Sequence, residues 1–291
     1  MTNDRSTRHA RHGTLCASRA SRLKSRLRLL HRRLETVTSL EPGDEVDSLF
    51  SRLVESCLAA DERTAAEVLA DPEVARLGPR LVELCSTGEY LLERRWAEEV
   101  VASRDPRRTL ARFPYYGNYE RLTRMELHAL RGASAAPVRR VLFVGSGPLP
   151  LTSILLAGRY GLSVDNVDQD APACRLGASL AAGLGLAGSL EFVEADARSL
   201  GSVADYDAVF LAALVGLDER EKESVIRRVG EGMRPGASLV VRTAHRLKTL
   251  LYPRVDPASL AGLEPQVIVE PVNDVVNSVI VAEKPGREAA G

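Results

Sequence analysis

Two glycines and an aspartate have the types and spacing of a nucleoside-binding site. The turn Gly145-Ser146-Gly147 follows the apolar run 141–144, which is typical of a buried strand. Glycines in such a turn let the backbone approach a ligand closely. Asp168 ends the next strand-like run, about 20 residues downstream, where a carboxylate that accepts from a ribose diol is expected. The alternative role for Asp168 is to cap a helix that begins near Ala171.

The turn departs from the dinucleotide pattern at one position. Pro150 stands where a third glycine would be needed. A pyrophosphate on the helix N-terminus is therefore disfavoured, and a nucleoside without phosphates fits better.

Two further carboxylates lie four residues apart. Glu89 and Glu93 fall within a helical pattern, and this spacing places both on one helix face. Taken alone, the pair is more typical of a solvated helix surface.

Three tyrosines are concentrated in one short segment. Tyr115, Tyr116 and Tyr119 occur within five residues of a chain that is only 4% aromatic. Pro114 and Gly117 predict a turn or loop here, not a helix interior. The loop either lines a pocket or packs as a hinge before the next domain.

Other candidates follow later predicted strands. Asp196 comes at the end of the third strand, placed to accept from an adenine amino group. Ala212 and Ala213 end the fourth and are small enough to lie against a flat base. Arg242 ends the fifth strand, where α/β sheets bind ligands, and could hold a carboxylate in bidentate fashion. His245 follows it, although a single histidine is more often a structural, hydrogen-bonded side chain.

The elements that must position these residues form an alternating pattern of strands and helices. Such alternation predicts an α/β fold with a mostly parallel, doubly wound sheet. A short connection between the last two strands predicts that they pair antiparallel. The predicted strands span residues 141–144, 164–168, 190–194, 207–212, 237–242, 266–270 and 276–282, with helices at about 151–160, 171–184 and 218–232.

The chain before this domain is predicted to be helical. Apolar stripes at helical spacing predict an N-terminal all-helical cap over residues 21–131, joined by a short linker to the Rossmann-like domain at 138–284. Residues 1–20 are rich in Arg, Ser and Thr and are expected to be a disordered basic extension. Residues 1–33 hold ten basic residues against one acid, so a nucleic-acid tail is the alternative, although no aromatic residue interleaves with these arginines.

Composition restricts the function classes. Net charge is zero and the hydrophobic fraction of 45% is ordinary for a protein with a packed core. No apolar run reaches the length of a membrane span, and no apolar signal core follows the basic start. The four cysteines lack metal-ligand spacing, which predicts reduced thiols, a cytoplasmic location and no metal site.

The chain resembles the nicotianamine synthase family. The similarity runs from about residue 30 to 284, and the motifs GSGPLPLTS and FLAALVG are the most specific. The matching segments are Val46–Phe50, Phe113–Tyr119, Gly145–Ser153, Val209–Gly216, Arg242–His245, Leu251–Pro257 and Asn277–Ser278.

The resemblance implies a methyltransferase-like Rossmann domain that binds S-adenosylmethionine (SAM) as a substrate, with no prosthetic group. It also implies transfer of the 3-amino-3-carboxypropyl arm of SAM to an amine, which releases 5′-methylthioadenosine and yields nicotianamine, a metallophore. Every carbon on a sulfonium is electrophilic, so geometry must select the carbon that is attacked.

The resemblance also implies roles for the candidate residues, as follows. The catalytic residues are Glu89, favoured as the base over Glu93, and Tyr115, Tyr116 and Tyr119, among which no choice is made. SAM is bound by Gly145, Ser146, Gly147, Asp168, Asp196, Ala212 and Ala213. The substrate is bound by Arg242, His245 and Asn118.

Alternatives stay open at this point. Arg246 and the segment 271–274 differ from the plant pattern, so the acceptor could differ. A single transfer to another amino acid, formation of azetidine-2-carboxylate alone, an ordinary methyltransferase and a SAM-binding regulator are the competing interpretations. The expected partners are small molecules, with no membrane, with nucleic acid disfavoured and with a homodimer possible.

Overall fold

A computed structural model describes residues 4–286, with side chains from residue 19 onward. The helices of this part of the chain are α1 (Asp4–Thr36), α2 (Asp44–Leu58), α3 (Glu62–Leu69), α4 (Pro72–Ala102), α5 (Pro106–Leu110), α6 (Tyr116–Ala133), α7 (Leu151–Tyr160), α8 (Ala171–Leu184) and α9 (Glu219–Gly232). The strands are β1 (Arg140–Val144), β2 (Ser163–Asp168), β3 (Leu190–Glu194), β4 (Ala208–Leu211), β5 (Ser238–Thr243), β6 (Glu264–Val269) and β7 (Ser278–Glu283). None of the helices is both long and apolar enough to cross a bilayer.

The seven strands form one sheet in the order β3-β2-β1-β4-β5-β7-β6. Strands β1 to β5 run parallel, and β7 pairs antiparallel with both β5 and β6. The predicted α/β class, with an antiparallel pair at the end, is confirmed. The order reverses between β1 and β4, and this reversal leaves a crevice at the carboxyl ends of those two strands, where open α/β sheets bind ligands.

Burial on both faces explains the apolar runs of the central strands, such as Ala208–Leu211 and Leu239–Val241. Every residue of β4 and β5 is buried. Successive side chains of a strand point to opposite faces. Phe143 and Phe210 therefore stack in the core beneath α6, α7 and α8, while Leu142 and Val209 contribute to a second core with α9.

The chain divides into two compact units within α4. Within the described chain, residues 4–88 and 245–251 form the first unit, and residues 89–244 and 252–286 form the second. The predicted boundary at residues 131–138 differs from this division, because α6 packs on α7 and on strands β5 to β7 of the second unit.

Two local predictions differ from the structure. The sequence predicts a turn or loop over residues 112–120, but α6 already begins at Tyr116. Pro114 lies before the first turn and Gly117 within it, where neither interrupts helical hydrogen bonds.

The backbone is also helical from Asp4, whereas the composition predicts disorder for residues 1–20; residues 1–3 of that prediction lie outside the described chain. Arginine, alanine and leucine are good helix formers, and this run contains no proline.

Candidate active site

The glycine turn and Asp168 meet at the carboxyl end of β1. The Gly147 N–H donates to Asp168 Oδ2 over 2.8 Å, and the other carboxylate oxygen accepts from Asp170 N at 3.0 Å. Gly145 and Gly147 have φ values of +81° and +63°, which glycine adopts without strain. The cap of α8 is Asp170 rather than Asp168, because its side chain accepts from Ala173 N. The capping role considered for Asp168 is therefore wrong.

Helices α4 and α6 bring two carboxylates and a phenol together. Tyr119 Oη donates to Glu93 Oε1 at 2.9 Å and lies 3.5 Å from Glu89 Oε1. Tyr252, which follows the first unit's segment 245–251, donates to Glu89 Oε2 at 2.9 Å. Glu93 is 8% exposed, and Glu89 and Tyr119 are half-buried, so the carboxylate pair of this acidic cluster is not on a solvated helix surface, which was the alternative.

The acidic cluster lies against the glycine turn. A Cβ added to Gly147 would be 2.8 Å from Glu93 Oε2. Among the described residues, no hydrogen bond reaches that oxygen. The two strongest features of the sequence, a glycine turn and a carboxylate pair, thus form one continuous site within the second unit.

Burial sets the protonation of this cluster. It raises the pKa of Glu93 well above its ordinary value, and the negative charge of Glu89 raises that pKa further. Burial also raises the pKa of Glu89, although the Tyr252 hydroxyl and Arg242 oppose the change. The pKa of Tyr119 is raised well above its usual range by burial and by both glutamates, so the phenol stays protonated. Like charges this close favour a pair that shares one proton.

Arg242 is held by the protein itself. Its Nε and Nη2 donate to the two oxygens of Glu126 at 2.7 and 3.0 Å, and Nη2 also donates to Thr152 Oγ1 at 2.6 Å. Its guanidinium carbon lies 5.9 Å from the centroid of the Tyr119 ring. The bidentate partner expected to be a substrate carboxylate is therefore Glu126. Arg242 acts on the acidic cluster as a nearby buried cation.

The other two predicted tyrosines pack against aromatic and apolar side chains. Tyr115 is 37% exposed and packs edge-on against Phe113. Tyr116 packs on the apolar core. Of the three predicted tyrosines, Tyr119, about one helical turn further along α6, is the one that donates to Glu93.

Some of the remaining predicted residues lie at the glycine turn, and the others bind protein groups elsewhere. Ser146 is buried and its Oγ has no hydrogen-bond partner in the described chain, while Ala212 and Ala213 follow β4 beside the turn. Asn118 donates to the Asp274 carbonyl at 2.7 Å, and Asp196 forms an ion pair with Arg198. His245 belongs to the first unit, where it precedes a 3-10 helix at Arg246–Leu250.

Two contributors were not predicted from the sequence. Tyr252 lies in the segment Leu251–Pro257, which resembles the family, but no local sequence pattern indicates that its hydroxyl reaches Glu89. Glu126 is 0% exposed, and an unexposed carboxylate requires a partner that the sequence does not identify. In the described part of the chain, no group of three His, Cys, Asp or Glu residues is placed to hold a metal ion.

Comparisons with known proteins agree with this architecture. The model of the family "Nicotianamine synthase protein" matches residues 16–289. Nicotianamine synthase 1 of Oryza sativa subsp. indica is 41% identical over 265 residues, which cover 88% of this chain and 79% of the rice protein. Nicotianamine synthase 2 of Arabidopsis thaliana is 37% identical over 262 residues, which cover 88% and 82% of the two chains.

Solved structures extend the similarity. A crystal structure of MtNAS in complex with MTA and tNA superposes with a TM-score of 0.77 at 25% identity, covering 92% of this chain and 98% of MtNAS. A glutamate-to-glutamine variant of MtNAS gives a TM-score of 0.78 at 25% identity, covering 90% and 98%. The chain belongs to the nicotianamine synthase family.

Proposed function

We propose that the chain is a nicotianamine synthase whose catalytic centre is the cluster of Glu89, Glu93 and Tyr119. It moves 3-amino-3-carboxypropyl groups from SAM to an amine, releases 5′-methylthioadenosine and forms nicotianamine. The observation that supports this assignment is the position of Glu93 Oε2, which is 2.8 Å from where a Cβ at Gly147 would stand, so that a buried carboxylate lies beside the turn expected to bind SAM.

The transfer needs a base and a fixed geometry. The amine nitrogen forms a bond to the γ-carbon of the arm while the bond from that carbon to sulfur breaks, and its electron pair returns to sulfur. The attacking α-amine is mostly protonated near neutral pH, so it must lose a proton to react. A carboxylate of raised pKa accepts that proton more readily than an ordinary exposed one.

Glu93 fits the role of base better than Glu89, which the sequence favoured. Both oxygens of Glu89 are within reach of tyrosine hydroxyls, whereas Glu93 keeps Oε2 beside the turn. We assign to Glu89 the role of raising the proton affinity of Glu93 by its negative charge. Tyr119 holds Glu93 in place by its hydrogen bond, and its ring lies beside the Arg242 guanidinium.

Asp168 is assigned to the ribose of SAM. Its carboxylate already accepts from two main-chain N–H groups. An ionised carboxylate has about four acceptor positions, so two remain for the hydroxyls of a diol. Ser146 Oγ, buried without a partner among the described residues, supplies a further polar group at the turn.

The protein is assigned to the cytoplasm on the state of its cysteines. Cys57 and Cys174 are buried as thiols, as is usual for proteins of a reducing compartment. The expected homodimer stays a prediction.

The test begins with the purified protein and SAM alone, followed by mass spectrometry. Methylthioadenosine together with nicotianamine is the expected result. Glu93→Gln should lower turnover by about 10²–10⁴-fold and leave SAM binding largely intact, as is usual for loss of a general base. Glu98→Gln is the matched control, because Glu98 is exposed on the same helix.

Other products would revise the function in defined ways. Methylthioadenosine with azetidine-2-carboxylate alone would restrict the reaction to cyclisation, and S-adenosylhomocysteine would indicate a methyltransferase. Full turnover by Glu93→Gln would exclude Glu93 as the base.

A further inference from the structure

A lysine is buried beneath the loop that follows β4. Lys222, in the first turn of α9, is 1% exposed. Its Nζ lies 2.9 Å from the Ala212 carbonyl oxygen, 2.5 Å from that of Ala213 and 3.1 Å from that of Val215. An ammonium group has three N–H donors, so the three carbonyls occupy all of them. Among the described residues, no carboxylate pairs with this cation.

Helix stability does not explain this lysine. A positive charge in the first turn opposes the helix dipole. Burial lowers the pKa of Lys222 to about 7, with a smaller effect from the charge of Arg242. The position belongs to the apolar stripe that continues through Val225, Ile226 and Val229, where an aliphatic residue would serve the core better. The structure therefore retains an unfavourable residue whose polar contacts all go to one loop.

The same loop is fixed to α9 at two further points. Gly216 has a φ of +73°, and a Cβ there would lie 2.6 Å from Lys222 N and 2.8 Å from its Cα. The Leu217 N–H donates to Glu221 Oε2 at 3.0 Å. Glycine at position 216 thus lets the loop pass directly over the turn that carries Lys222.

On its other side, the loop lies against the glycine turn. The Ala212 N–H donates to the Val144 carbonyl at 3.1 Å. A Cβ on Gly145 would clash with the Val215 side chain and lie 3.2 Å from Ala212 Cβ. The loop held by Lys222 is therefore in direct contact with the turn that the proposed function assigns to SAM.

We propose that Lys222 is a positioning residue for SAM. By tying three carbonyls together it holds the loop 212–215 against Gly145, so that the loop is a preformed wall of the nucleoside site. This inference rests on the proposed function, because it takes the glycine turn to be the SAM site. Lys222 itself is placed behind the loop and has no part in the proton transfer at Glu93.

The test compares Lys222→Met with Lys222→Gln. Methionine keeps an unbranched stem but donates no hydrogen bond, whereas a glutamine amide keeps two donors. Calorimetry should show the SAM Kd rising about tenfold for methionine, which corresponds to about 1.4 kcal/mol, with a smaller rise for glutamine. KM for SAM should rise in parallel while kcat at saturating SAM stays within about twofold, as for the loss of uniform binding.

Arg227→Met is the control, since Arg227 is an exposed cation on the same helix, and it should bind SAM normally. Circular dichroism establishes that each variant is folded; if methionine prevents folding, glutamine carries the test. An unchanged SAM Kd in a folded variant, or a fall in kcat with unchanged KM, would overturn the positioning role. A wild-type protein that neither binds nor consumes SAM would overturn the proposed function as well.

Discussion

Glu89 and Glu93 are one turn apart on the same helix but have different surroundings. The Tyr252 hydroxyl donates to Glu89 and stabilises its negative charge, while Glu93 accepts from Tyr119 and lies next to Glu89 itself. When their environments give two titratable groups different pKa values, the two groups commonly have different roles in catalysis. At the residue scale, the pH dependence of the reaction is therefore set by Glu89 and Tyr119, which shift the pKa of Glu93 but do not accept the proton themselves.

Removing Glu89 and removing the Tyr119 hydroxyl should shift the acid limb of the pH profile of kcat/KM in opposite directions. The raised pKa of Glu93 places this limb above the pH expected for an ordinary glutamate, because the base must be ionised. Glu89→Gln removes a like charge, so the limb should move to lower pH. Tyr119→Phe removes a hydrogen bond that stabilises the ionised form, so the limb should move to higher pH. Steady-state kinetics across the pH range checks both, and two unmoved limbs would show that Glu93 is not the titrating group.

At the scale of elements, the site depends on how closely α4 approaches the turn after β1. The atom nearest to a Cβ added at Gly147 belongs to Glu93, so the absence of a side chain at this position sets the separation between carboxylate and backbone. Position 147 therefore has a steric requirement in addition to its backbone conformation.

Gly147→Ala and Gly161→Ala separate these two requirements. Both glycines have similar positive φ values, so each alanine should cost about 1–2 kcal/mol of stability. Gly161 has no heavy atom near an added Cβ, whereas Gly147 has Glu93. Turnover should therefore fall about 10²-fold only for Gly147→Ala, as expected when a catalytic group is displaced. Equal turnover in the two variants would contradict the contact.

Elements with a clear period are predictable from the sequence, and contacts between distant elements are not. The strands that end in Val144 and Asp168 follow from apolar runs and spacing, which are local properties. The choice of Tyr119 over Tyr115 and Tyr116 depends on where α6 begins, and helix ends are weakly encoded. Arg242 is recognisable as important, yet its partner Glu126 is 116 residues away in the chain. Lys222 has a local signal, a charge within an apolar stripe, but that signal does not identify the carbonyls it binds.

At the scale of the whole molecule, a buried ion pair joins α6 to the middle of the sheet. Arg242 and Glu126 are both almost fully buried, and each satisfies the charge of the other. Removing one partner of such a pair leaves an uncompensated buried charge, which is more costly than removing both.

Glu126→Gln should lower the free energy of unfolding by about 3–5 kcal/mol. The chain has one tryptophan, Trp96, which packs on the core of the second unit, so its fluorescence in urea reports unfolding of that unit. Arg121→Gln is the matched control: it breaks the exposed pair with Asp274 and should cost less than about 1 kcal/mol. The double variant Glu126→Met with Arg242→Met should recover much of the lost stability. Equal destabilisation by Glu126→Gln and by the control Arg121→Gln would contradict this account.

Because residues 245–251 belong to the first unit, the two units cannot be separated simply by truncating the chain. The chain passes between the units within α4, again before His245 and a third time after Leu251. A fragment that starts at Glu89 would carry Leu247 and Leu250, which are buried among α2 and α3 in the full chain, without the helices that cover them. Exposed leucines of this kind promote aggregation. The two units are thus interleaved in sequence, and neither can be excised by a single cut.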